Sequence, residues 1–221
     1  MRAYHLTTEH WALESMRLRR LKLATLEDMN DPFELLPIEF QTPGERTFFE
    51  DYLKPDLNRT IGVLCFSRRW NNPVLWSHYA DKHRGLCLGF DIPDQHAKKV
   101  RYVDRRLKAD IEHDNPSDDA NSPGYKLVIT KHSHWKYEAE VRLIIPLKHA
   151  QRDGSNYFVS YCDGLSLQEV VVGVRSKITD ENLVSNLSHE DQRVSIIRTC
   201  LAPSSFEVSP LKPDEKDEVD A

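Results

Sequence analysis

The stretch Gly62–Phe90, GVLCFSRRWNNPVLWSHYADKHRGLCLGF, constrains the fold of this chain more than any other. It opens in an apolar run, Ile61 to Phe66, that reads as a buried strand. It closes in a second run, Gly85 to Phe90, where Leu86, Leu88 and Phe90 alternate with Cys87 and Gly89. Between the two runs, Asn72 and Pro73 suit the cap and first position of a helix. Val74, Leu75, His78 and Tyr79 then recur at helical spacing, and Gly85 is expected to end the element. Such a strand, helix and strand hook brings Ser67, Trp76 and Tyr79 toward one end of a sheet. Taken alone, Trp76 and Tyr79 read as the core stripe of the short helix.

The flanking chain supplies more strands than helices. Arg2 to Leu6 reads as a strand carrying Tyr4 and His5, with Thr7 or Thr8 placed to cap a helix from about Glu9 to Arg20. A strand is expected over Leu21 to Ala24. In Asp28-Met29-Asn30-Asp31-Pro32-Phe33-Glu34, Asp31 precedes a proline and is biased away from helix, so a turn stabilised by Asn30 or Asp31 is expected. Two carboxylates, an amide and an aromatic within the five residues Asn30 to Glu34 can line a polar pocket. Arg46 to Leu53 reads as a short helix.

Beyond the hook, Asp91 to Pro93 reads as a turn and helix start, and Val100 to Val103 as a strand. The polar stretch 110–124 is expected to be a mobile loop. Tyr125 to Lys131 admits helix or strand. Alternation predicts strands through Glu140 to Pro146, at Tyr157 to Cys162 and at Leu167 to Val174. A helix follows over Asp180 to Leu187, then strands over Val194 to Cys200 and Phe206 to Val208. The succession lacks regular strand and helix alternation. It therefore predicts an α+β fold with a largely antiparallel sheet core flanked by helices, as one domain over 1–210 with an acidic disordered tail at 211–221.

Composition excludes several classes. The 221 residues contain no apolar run of membrane-spanning length, and Glu9, Glu14, Arg17, Arg19 and Arg20 interrupt any signal-peptide core, so a cytoplasmic location with no membrane partner is expected. Cys65, Cys87, Cys162 and Cys200 form no metal-finger or redox spacing and read as reduced. The net charge of −5 argues against nonspecific nucleic-acid binding, although basic clusters at Arg17 to Lys22, Arg68 to Arg69 and Lys98 to Lys108 can steer a phosphate-bearing ligand. There is no GxGxxG, no P-loop and no GxSxG. His132-x-His134 lacks the further ligands that a metal site needs, so none is expected.

The chemistry that is present sits at Glu138-Ala139-Glu140, bracketed by Trp135 and Tyr137 and followed by Arg142. Two carboxylates two residues apart in extended chain project to the same side. There, one can be held ionised while the other positions or deprotonates a reactant. The alternative is a pair of solvent-facing strand residues with Arg142 as ion-pair partner.

Taken together, several motifs resemble a widespread, mostly bacterial family catalogued as a domain of unknown function, DUF2971, over about residues 1 to 200. They are Tyr4-His5, Asn30-Asp31-Pro32-Phe33-Glu34, Cys65-Phe66-Ser67, Leu75 to Asp81, His83-x-Gly85 and Trp135-x-Tyr137-Glu138-x-Glu140-x-Arg142. The order of motifs also bears a distant resemblance to ADP-ribosyltransferases, which carry an early-strand histidine, a hook with aromatics and a glutamate at the start of a later strand.

That second resemblance implies an ADP-ribosyltransferase-like fold and NAD as substrate. It casts Glu140 as the catalytic glutamate, Glu138 as the acid that works on the acceptor, and His5 as the ribose-binding histidine. Ser67 and Tyr79 would grip the nicotinamide, with Tyr4, Asn30, Asp31, Phe33, Trp76 and Arg142 completing the NAD-binding set. The implied partner is a macromolecular acceptor, nucleic acid or protein, with an antitoxin or other regulator for a toxin or phage-defence effector. A non-enzymatic binding module with the same cleft and an NAD glycohydrolase are the alternatives. Cys65 stands where many polymerase-type members have a tyrosine, and Leu6 where a glycine commonly follows the histidine.

Overall fold

The computed structural model describes residues 1–108, 123–191 and 193–212. The loop expected at 110–124 and the tail expected at 211–221 therefore lie, apart from 123–124 and 211–212, outside the described residues. The fold is α+β, built on mixed, largely antiparallel sheet with helices around it. The chain packs as two compact units. The first comprises Met1–Leu21, Phe66–Asp94 and the chain from Ser160 on, and the second Lys22–Cys65 and Gln95–Val159.

In the first unit the strands lie side by side in the order Val208–Pro210, Ser195–Leu201, Ser166–Val172, Leu86–Asp91 and Arg2–Thr7. The last two residues of the Ile61–Ser67 strand follow, with Tyr4 opposite Ser67. All pairs are antiparallel except Ser166–Val172 with Ser195–Leu201, and the Asp180–Ser185 helix lies in the crossover between those two, as a parallel connection requires. The first helix runs Glu9–Leu18. Thr8 caps it by accepting from Trp11 N at 3.4 Å, and a left-handed Arg19 ends it, slightly earlier than the apolar spacing alone gives.

The hook helix spans Pro73–Tyr79, with Asn72 accepting from Val74 N at 2.9 Å. It stops well before Gly85, which corrects the expectation that this glycine ends it. Asp81, Lys82 and His83 follow with φ of 43°, 53° and 71°. Three successive non-glycine residues in this region persist only where their surroundings over-determine them. Here His83 N donates to Trp76 O at 3.2 Å, Gly85 N to Ala80 O at 2.8 Å, and Arg175 N to His83 O at 2.9 Å. Gly85 serves close approach instead: a Cβ there would lie 2.2 Å from Thr7 O.

In the second unit the first residues of the Ile61–Ser67 strand neighbour Glu140–Pro146, which in turn pairs antiparallel with Lys98–Lys99. The Arg101–Val103 and Thr130–His132 strands pair in parallel and place Lys131 opposite Tyr102. The helix expected over Arg46 to Leu53 is longer. It starts at Pro43 with a Thr42 and Glu45 capping box, passes through a π-helical turn at Phe49–Leu53 and continues as Lys54–Thr60. Pro55 cannot donate to the carbonyl four residues back, and the wider turn just before it absorbs the misfit, so the helix runs on. The unit's core gathers Leu26, Leu35, Ile38, Phe49, Val63, Leu127 and Val128. The helix start expected at Asp91 to Pro93 is replaced by a turn at 94–96, after which the chain forms the short Lys98–Lys99 strand. Among the described residues no helix is long and apolar enough to cross a membrane.

Candidate functional site

The predicted site residues fall into two groups, one per unit. In the first unit, Tyr4, Ser67 and Trp76 share one face of the sheet. Tyr4 lies opposite both Ser67 and Gly89, and Tyr4 and Leu6 pack on the cluster built around Trp76, Ala80, Cys87, Val171 and Val208. His5, one residue on, points to the other face, where its ring meets Phe66 edge-on at 5.9 Å. Trp76 is fully buried, and its indole N–H donates to Trp70 O at 2.6 Å. The half-buried ring of this helix is Tyr79, 6.0 Å from that of His78. Ser67 is buried and its hydroxyl accepts from Arg69 N at 3.2 Å. The Tyr4 phenol is hydrogen-bonded to Glu169, and burial, with that carboxylate beside it, pushes its pKa up to about 12.

The second unit holds Asn30, Asp31, Phe33, Glu138, Glu140 and Arg142. Asp31 forms the side-chain-stabilised turn, its Oδ1 accepting from Phe33 N at 2.9 Å. Asn30 and Phe33 are exposed, and the Phe33 ring lies 5.4 Å from the Arg106 guanidinium.

Glu138 and Glu140 converge, by a different route from the extended alternation that the spacing predicts. Ser133–Glu138 is a 3-10 turn, Ala139 is left-handed at φ 45°, and the strand begins only at Glu140. The left-handed residue turns both acids onto one ammonium. Lys131 Nζ lies 2.8 Å from Glu138 Oε2 and 3.4 Å from Glu140 Oε2, and 4.7 Å from the centre of the Trp135 ring. Arg142 grips Glu140 as a fork, Nε to Oε1 at 2.7 Å and Nη2 to Oε2 at 3.1 Å. It also donates to Val128 O and meets the carboxylate of Glu34. Glu140 N donates to the Tyr102 hydroxyl at 2.8 Å. The spacing also allows solvent-facing acids; instead Glu138 and Glu140 are 4% and 5% exposed, and Arg142 is fully buried.

Electrostatics follow from this burial. Burial pushes Glu140 up, but Arg142 and Lys131 outweigh it and hold the carboxyl below its ordinary value. For Lys131, burial pushes the ammonium down, and Glu140, Glu138 and Glu34 reverse this. Burial drives Glu34 above the ordinary carboxylate range despite Arg142, and its second oxygen has no hydrogen-bond partner among the described residues. Burial likewise raises the Tyr102 phenol to about 12 and the Cys65 thiol, which is hydrogen-bonded to Glu140, well above its usual value. Cys65 is thus held as a thiol, unsuited to nucleophilic attack.

Neither Lys131 nor Tyr102 is a site candidate on sequence grounds, and Glu34 enters there only as one of two carboxylates able to line a pocket. One signal was available for Lys131. Glu138-x-Glu140-x-Arg142 carries two acids to one cation, so burying the motif requires a second cation from elsewhere.

Residues 75–143 match a protein family described as Protein of unknown function (DUF2971). The matched stretch contains Trp76, Tyr79, Lys131, Glu138, Glu140 and Arg142, and is narrower than the span of about 1 to 200 that the scattered motifs imply. No curated protein and no solved structure matches the chain.

Proposed function

We propose that this protein is an NAD-dependent ADP-ribosyltransferase-like enzyme with an ADP-ribosyltransferase-like fold. In this reading it is a cytoplasmic toxin or phage-defence effector that modifies nucleic acid or protein and is restrained by an antitoxin or other regulator. The observation that carries the reading is Glu140: an ionised carboxylate fixed by a two-pronged arginine contact at the first residue of its strand, with Glu138 on the same ammonium. The order of elements agrees, since His5 lies on the first strand and Tyr79 on the helix of the hook.

In the reaction the bond from ribose C1′ to the nicotinamide nitrogen breaks, and its electron pair leaves with nicotinamide. Positive charge builds on the ribose, and a fixed carboxylate stabilises that charge more than it stabilises bound NAD. The acceptor's nucleophile then bonds to C1′ and gives its proton to Glu138. A second reading, a binding module without turnover, draws on the fact that Arg142 and Lys131 already occupy both oxygens of Glu140.

The test is to incubate the protein with labelled NAD and, separately, DNA, RNA and cell lysate, counting free nicotinamide and label on each polymer. Glu140→Gln should cut turnover by about a hundredfold or more with NAD affinity nearly unchanged. Glu138→Gln should reduce transfer more than cleavage. Nicotinamide release without labelled polymer identifies a glycohydrolase. Wild-type protein that neither binds NAD nor releases nicotinamide ends the transferase reading.

A further inference from the structure

Glu138 and Glu140 have separate tasks in the proposed reaction, but two carboxylates sharing a dry site do not ordinarily both stay charged. Like charges brought together in low dielectric share a proton and titrate as a pair. Something must prevent that here, and Arg142 grips only one of the two acids. Its fork is spent on Glu140, its remaining terminal nitrogen donates to Val128 O, and it also faces Glu34. The ammonium in contact with Glu138 belongs to Lys131.

We propose that Lys131 is a positioning residue: it holds Glu138 and Glu140 charged together and turned to one point, so that they act as two carboxylates and not as one acid sharing a proton. The proposal rests on the reading that these two acids carry the chemistry, while the placement of Lys131 stands on geometry alone.

Three features fix the ammonium. Parallel pairing of its strand with Arg101–Val103 sets Lys131 opposite Tyr102, whose hydroxyl accepts from Glu140 N. The Trp135 ring lies over the nitrogen at 4.7 Å, which favours the cation. The left-handed Ala139 brings both acids within reach of that single nitrogen. Among the described residues, the other titratable or charged groups facing the cluster are Glu34, Arg142, Tyr102, Tyr137 and Cys65. None of them supplies another cation beyond Arg142.

Lys131→Met keeps the length of the side chain and removes its charge. Infrared difference spectra of the substrate-free chain at neutral pH should then show about one additional protonated carboxyl relative to wild type, since two buried like charges share a proton. The band should vanish in Lys131→Met/Glu138→Gln, and Lys131→Arg should behave as wild type. This readout needs no turnover, so it is decided whether or not the protein cleaves NAD. A folded Lys131→Met protein without the added band overturns the proposal.

If Lys131→Met does not fold, the double variant decides. Recovery of folding on removing the Glu138 charge supports the pairing, and equal loss in both overturns it. Where NAD is cleaved, the acid limb of the pH profile should move up by about one unit or more in Lys131→Met. A residue that merely packs the core would lower the rate without moving that limb.

Discussion

Each unit contains an ionic cluster of similar composition, and the two differ in burial. In the first unit Arg2 Nε meets Asp91 Oδ1 at 2.9 Å and the guanidinium also meets Glu169, with side chains 31%, 52% and 22% exposed. In the second, Lys131, Glu138, Glu140, Arg142 and Glu34 are all at most 6% exposed. Water screens the first cluster and solvates its members when a partner is lost, so its ion pairs contribute little. The second has no such reserve. Each charge was stripped of water on folding, and only its partners compensate, so removing one strands another. Arginine and carboxylates therefore serve as a surface clasp in one unit and, joined by a lysine, as a fixed electrostatic site in the other.

The largest expected break in this comparison is Arg142→Met. It leaves Glu140 with Lys131 alone and deprives Glu34 of its cation, and should cost about 3–5 kcal/mol in denaturant unfolding, as loss of one member of a buried pair does. A loss below about 1 kcal/mol would mean that the cluster is effectively solvated, like the one at Arg2.

A smaller effect separates the acids by pH. Glu34 has a folded pKa raised above its reference of 4.5, so its contribution to stability is fully present below that value and is lost as pH rises through the folded one. Glu140 is lowered, so its contribution is present above 4.5 and lost as pH falls through its folded value. Asp91, lowered by the hydrogen bond from Arg2, has the sign of Glu140. Glu34→Gln should therefore remove the part of the stability that wild type loses as pH rises from 4.5, while leaving the loss on the acid side in place. Unfolding midpoints across the pH range that move in parallel for both proteins would contradict the assignment.

The smallest effect is expected for Arg2→Met, a loss of no more than about 1 kcal/mol that shrinks as salt is added. A larger, salt-insensitive loss would erase the distinction between the two clusters.

What the sequence determined by itself is local. Thr8 and Asn72 as helix caps, the Asp31 turn and the strand at Leu86–Asp91 all follow from interactions within a few residues, which the order of side chains specifies directly. It also supplied Glu138, Glu140 and Arg142 as a unit. Tertiary structure alone decided where their charges go. Lys131 and Glu34 join them from separate strands and turns, and whether an acid is solvated or paired depends on burial that no short window encodes. The same holds for backbone held against its local preference. Ala139 and the residues from Asp81 to His83 are left-handed, and the helix runs through Pro55, because long-range packing and hydrogen bonds outweigh propensities worth about 1–3 kcal/mol each.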